Sequence, residues 1–332
     1  MLSSPYALQE KMALFWHGHF ATNEDKVRDY RKMLNQIQLF REKGLGSFRG
    51  LLKDTAQDPA MLVFLDAGVN TADSPNENFA REIMELFTMG VGNYSEKDVR
   101  EAARAFTGWT VRGTNYYRDE TNHDAGAKEF LSFSGNYDGT DIIEIILSQE
   151  QTSEFVAAKI YRYFVNDSIS QEGIKKLGNL LSTEDYHIDK FLRTLFLSKD
   201  FYENAGSHIK SPIELMISTY KLMGATAVPG VPDFNEVSQA LGQRLLHPPT
   251  VAGWSQGKSW ITPSLLFERA NFVLDVVFPD LNFVPPDRFP VFTPEVARVQ
   301  QRLRQGQSVS QATKPSGISG SMNMAQSNQM AD

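Results

Sequence analysis

The chain has no cysteine among its 332 residues, only six histidines, and fewer Lys and Arg (33) than Asp and Glu (40). The missing thiols exclude a disulfide framework, a thiolate metal site and a cysteine nucleophile. Any metal here must be held by imidazole and carboxylate. The formal charge of −7 argues against a broad nucleic-acid surface, which shows as clustered Lys and Arg. No run approaches the ~18 apolar residues of a membrane span, and the longest early cluster is Met12 to Trp16. The opening Met-Leu-Ser-Ser-Pro-Tyr lacks the basic and then apolar regions of a secretion signal. There is no phosphate-binding glycine loop before a helix, and no Gly-x-Ser-x-Gly in a strand–turn–helix context.

Hydrophobic residues make up 41% of the chain, enough for a packed core, and they recur mostly at helical spacing. Leu8, Met12, Phe15, Trp16, His19 and Phe20 share one helical face. Helical patterns follow over 25–40, 45–57 and 79–89, the last closed by Gly90. Ser95-Glu-Lys-Asp98 reads as a capping box before the next. Residues 110–139 break the pattern with Gly, Asn and aromatic residues, which predicts short strands or an ordered loop. Helices resume over 142–147 with Asp141 as cap, then 155–164, 174–181, 188–196, 213–223 after Ser211-Pro212, 234–245 and 263–277. The expected fold class is all-α: a single multi-helix domain over 5–278 with a short β-like or irregular insertion near 110–139. A Pro-rich extension over 279–304, with one short helix, leads to a disordered Gln/Ser/Gly/Met-rich tail over 305–332.

Three polar groups stand out, each with two readings. His17 and His19 lie in Phe-Trp-His-Gly-His-Phe. On a continuous helix they point about 200° apart, so that His19 is a core histidine and His17 a surface one. If Gly18 ends the helix, both imidazoles can face one pocket and bind a divalent metal. Glu82 sits at the margin of an apolar helical face, where a carboxylate needs a cation, and Glu85 lies about 60° further round beside Arg81; Arg81, Arg100 or Arg104 as a salt-bridge partner competes with a ligand or acid/base role. His123-Asp124 lies in the irregular segment, either as a turn or as part of a site carried on a loop, with Lys128 four residues on. His187, His208 and His247 read as surface or structural residues.

Several blocks together resemble one bacterial family. They are Glu10–Phe20, Asn76–Gly90, Asp98–Trp109, His123–Lys128, Ile209–Leu215 and Pro248–Trp254, in order. This set is similar to the domain-of-unknown-function family eighteen hundred and spans roughly residues 5–275. The resemblance implies a largely helical protein and relatives that are often exported and carry an additional N-terminal region. It also implies a genetic neighbour, from the family numbered fifteen hundred and one, that looks like an alkaline-phosphatase or sulfatase relative. Relatives often have histidine where this chain has Phe87.

Two functions compete on these grounds. The first is a metal- or acid/base-dependent hydrolase, with His17, His19 and His123 as ligands of a divalent metal and Glu82, Glu85 and Asp124 as catalytic carboxylates. Arg81, Arg104 and Lys128 would support that site, whose side chains should converge within about 6–8 Å. The second is a non-catalytic binding or assembly protein of an exported or surface system, working with the phosphatase- or sulfatase-like neighbour. Aromatic loops with Tyr116, Tyr117, Trp254 and Trp260 would supply contacts for it, or for carbohydrate.

Overall fold

The computed structural model describes residues 1–278 apart from Val231, together with Gln305. The Pro-rich extension and the tail expected beyond 278 lie outside the described residues, Gln305 excepted. Fifteen α-helices are described: α1 (Ala7–His19), α2 (Glu24–Val27), α3 (Tyr30–Lys43), α4 (Phe48–Ala56), α5 (Pro59–Phe64), α6 (Asn78–Glu85), α7 (Glu96–Ala105), α8 (Gly139–Leu147), α9 (Glu150–Phe164), α10 (Gln171–Thr183), α11 (Ile188–Phe196), α12 (Lys199–Glu203), α13 (Pro212–Leu222), α14 (Phe234–Ala240) and α15 (Pro263–Val277). The irregular segment folds into two antiparallel hairpins. β1 (Trp109–Arg112) pairs with β2 (Asn115–Arg118), with Trp109 opposite Arg118, and β3 (Lys128–Phe130) pairs with β4 (Phe133–Gly135). The all-α expectation with a small β insertion therefore holds.

Caps explain most boundaries. Ser95 and Asp98 form the expected capping box of α7. α8 is capped by Asp138 rather than Asp141, which instead closes the box from inside the helix. The single helix expected over 25–40 is two, because Arg28 adopts a left-handed backbone (φ 50°) and Asp29 then caps α3. Asp58-Pro59 starts an unforeseen helix, α5, with the Asp58 carboxylate accepting from the N–H groups of Ala60 and Met61. That carboxylate also accepts from Gln36 Nε2 at 2.7 Å, and Gln36 Oε1 accepts from Thr22. Three buried polar side chains thereby satisfy one another, as burial demands.

α1 is the pivot. Met12, Phe15, Trp16 and Phe20 are at most 3% exposed and belong to the main core, whereas Leu14 belongs to a second, smaller core with Ile213, Met216, Tyr220, Phe272 and Val276 of α13 and α15. A helix buried on several sides cannot show a clean polar stripe. Burying each such large side chain contributes about 2–3 kcal/mol. Trp16 Nε1 donates to Gly44 O at 2.8 Å, so its one polar atom is also satisfied. The α3–α4 and α10–α11 hairpins meet at their loops. There Phe48 N–H donates to Tyr186 O (2.8 Å), and Ile188 and Asp189 donate to Gly46 O and Leu45 O (3.0 Å each).

Candidate functional site

His17 and His19 leave α1 in different directions, as a continuous helix requires. His19 Nε2–H donates to Phe87 O at 2.9 Å, between Phe15 and Phe20. Burial, then the nearby Lys159 charge, hold its imidazole well below the ordinary histidine range. Lys159 donates to the next carbonyl, Leu86 O, at 2.9 Å, and its own pKa falls to about 8 through burial and then Arg162. His17 Nε2 accepts from Leu246 N–H at 3.0 Å, and its ring meets Trp254 edge-on at 5.0 Å. Burial and then the His247 charge lower it to about 4. Both histidines are therefore neutral and buried, and His17 is not the surface residue of the simpler reading.

The remaining expected site residues form two other groups. Glu85 accepts from Tyr94 Oη at 2.8 Å. Burial and then Glu85 raise the pKa of Glu82. Arg81 makes a salt bridge with neither, being paired to Glu77 and Glu96, although its charge partly offsets the rise at Glu82. In the insertion, Arg104 holds Asp124 (2.7 Å) and Glu101 (2.9 Å). His123 Nδ1–H donates to Thr107 O at 3.0 Å, and Asp124 N–H donates to Thr107 Oγ1 at 2.8 Å. The fully buried Lys128 ammonium donates to the carbonyls of Asp124 and Gly126. So His123, Asp124, Arg104 and Lys128 do meet, as a knot that ties the hairpins to α7. His17, His19, His123 and Glu82 do not form a tight metal-ligand cluster: among the described residues the one group of three or more such donors within 4.8 Å of one another lies elsewhere. The cause is that helix α1 separates its two histidines and the Thr107 knot occupies the third. Phe87, where histidine was the alternative, is 1% exposed and packs on Phe20.

A different cleft gathers chemistry that the sequence reading treated as structural. It lies between α1, the end of α9, the start of α13 and the turn over 253–261, with Gly18, Arg162, His208, Glu214, Gln243 and Trp254 among its walls. Three of the six resemblance blocks supply lining residues: Leu14, Phe15 and Gly18; Ile209, Ser211 and Glu214; and Trp254. The first and third are held in van der Waals contact by Gly253. Its φ is +84°, and a Cβ there would stand 2.1 Å from Gly18 O, so glycine is required for both conformation and space. Trp254 and Trp260 are 7% and 4% exposed. They are walls of this cleft, which corrects their reading as exposed contact rings.

Glu214 is the third residue of α13 and closes its capping box with Ser211. Its Oε1 takes Lys11 Nζ at 2.7 Å; its Oε2 takes His208 Nε2–H at 3.2 Å and Ser211 N–H at 2.8 Å. Burial would raise this carboxyl, but the bond to His208, the charge and bond of Lys11 and the Ser211 N–H outweigh it and bring the pKa to about 2. With Nε2–H given to a carboxylate, Nδ1 is the ring nitrogen of His208 left without a hydrogen-bond partner among the described residues. Arg162 makes no ion pair among the described residues. The cleft encloses about 30 Å³, room for one or two waters.

Among the described residues no helix is long and apolar enough to cross a membrane. No curated protein and no solved structure matches the chain. The family described as "Protein of unknown function (DUF1800)" matches residues 1–331, beyond the six blocks at both ends. The chain belongs to the DUF1800 family.

Proposed function

We propose that the cleft is an acid/base hydrolytic centre in which His208 deprotonates water. The observation that carries this reading is the His208–Glu214 pair at a water-sized cleft. An ionised carboxylate on one imidazole nitrogen fixes the tautomer and stabilises the imidazolium that forms when the other nitrogen takes a proton. Arg162, at the same cleft and without an ion-pair partner among the described residues, suits the negative charge that develops on the substrate oxygen. The hydrolase reading thus keeps its His/Glu chemistry but moves from the first half of the chain to residues 208–214. The test is a panel of phosphomonoester, carboxyl-ester, peptide and glycoside substrates offered to the parent and to His208→Gln, Glu214→Gln and Arg162→Gln. One substrate class should be turned over by the parent, and His208→Gln should slow it by roughly 10²–10⁴-fold. Equal rates in the parent and in folded His208→Gln would refute the assignment.

A second reading, an assembly protein working with a phosphatase- or sulfatase-like partner, is favoured by the apolar surface of α15, where Leu266, Phe267 and Leu274 are 50%, 73% and 54% exposed. Patches of this kind mark contact surfaces. Co-purification with that neighbour, lost in Phe267→Glu, would support it; unchanged co-purification would remove it.

A further inference from the structure

We infer that Glu24, Asp25 and His247 form a binding site for a divalent transition-metal ion. One ligand atom from each lies within 4.8 Å of the other two, and no other such group occurs among the described residues. Asp25 and His247 are 222 positions apart, so the grouping is a product of folding. Three bonds bring the segments together. Glu24 N–H donates to Leu246 O (2.9 Å), Asn23 Nδ2 donates to Pro248 O (3.0 Å), and Leu246 N–H donates to His17 Nε2 (3.0 Å). Asn23 Oδ1 meanwhile caps α2 through Asp25 N–H, fixing the backbone that carries both acids.

Two independent features point to a cation. His247 Nδ1 is buried and has no hydrogen-bond partner, although it stands 3.2 Å from Asp25 Oδ2. The distance is close but the alignment is not that of a hydrogen bond. It matches the edge of a tetrahedron around an ion whose bonds are about 2.0–2.1 Å long, which is about 3.3 Å. In addition, no Lys or Arg neutralises either carboxylate among the described residues. Lys26 is taken by Asp66 (2.7 Å), and Arg28 Nε donates to the backbone carbonyl of Asp25 (3.1 Å). Two carboxylates beside an imidazole nitrogen that makes no hydrogen bond are a borderline N/O donor set, suited to Zn²⁺, Mn²⁺ or Co²⁺. With three protein ligands, the site leaves a position for water or a further ligand. An open pocket of about 450 Å³, lined by Asn23, Asp25, Lys26 and Pro248 to Val251, borders the site at Asp25. His17, expected as a ligand, instead accepts the N–H of the residue before His247 and so positions the liganding turn.

The experiment is titration of the metal-stripped full chain with Zn²⁺ by calorimetry at neutral pH, with the visible spectrum of the Co²⁺ form as a second readout. One equivalent should bind, and His247→Ala and Asp25→Asn should each weaken binding by about tenfold or more. Asp25 is 74% exposed at its side chain, so its variant reports on binding even if His247→Ala fails to fold. His208→Gln, in the cleft, should bind like the parent. No binding by the parent, or undiminished affinity in Asp25→Asn, would overturn the assignment.

Discussion

Replacing Glu214 by Gln keeps the shape of the side chain and its ability to accept from Ser211 and Lys11, but removes its charge. In the folded chain this carboxyl titrates near 2, against 4.5 for an ordinary glutamate. At about 1.4 kcal/mol per pH unit, that difference is worth about 3 kcal/mol. The side chain is only 9% exposed, so solvent screening removes little of it. The sign follows from linkage. A carboxyl with a depressed folded pKa contributes stability that is present above 4.5 and is lost as pH falls from 4.5 to 2. Glu214→Gln should therefore be about 3 kcal/mol less stable than the parent at pH 7, a fall in Tm of about 4 °C for a chain of this size. The gap should close progressively below pH 4.5. Urea denaturation of both proteins at pH 7, 4.5, 3.5 and 2.5 measures it. A gap that stays constant over that range would refute the view that Glu214 is held ionised by Lys11, His208 and Ser211.

Three further outcomes follow from the same packing. Asp58→Ala removes a helix cap and orphans Gln36 Nε2, and should cost about 2–3 kcal/mol in chemical denaturation, with Asp58→Asn recovering most of it. Gly253→Ala forces a side chain into a positive φ and against Gly18 O, and should cost about 2–4 kcal/mol by the same assay; a neutral result would mean that the turn over the cleft is looser than drawn. Lys159, lowered to about 8, binds fewer protons folded than unfolded between pH 8 and 10.5. Its contribution should make stability rise with pH across that window, and Lys159→Met should abolish the slope in denaturation curves.

The fold was legible wherever a local rule sufficed. The Ser95–Asp98 box, the Pro212 and Pro263 helix starts and the helical face of Met12, Phe15 and Trp16 all depend on residues within one or two turns. The break at Arg28 was not legible, because arginine has no preference for the left-handed backbone it adopts. The clefts were illegible for a different reason. Ser211-Pro-Ile-Glu214 could have been read as a capping box, but that Glu214 also takes Lys11 and His208 depends on how α1 and α13 meet. The pairing of Asp25 with His247 depends on a turn 222 positions away. The knot at Arg104, His123, Asp124 and Lys128 fell between these cases: these residues were singled out, while their partners, the hydroxyl of Thr107 and several backbone carbonyls, carry no signal in sequence.

The short zipper between the loops of the α3–α4 and α10–α11 hairpins joins backbone groups some 140 positions apart, from Leu45 to Asp189. Closing so long a loop is costly in chain entropy, although the cost grows only slowly with length, so these contacts form once both hairpins exist. The consequence is a covalently dispensable middle. A nick in the exposed turn at Val91–Asn93 would leave two pieces still clamped through Phe48, Ile188 and Asp189. The amides of those three residues would exchange with solvent only when the whole assembly opens.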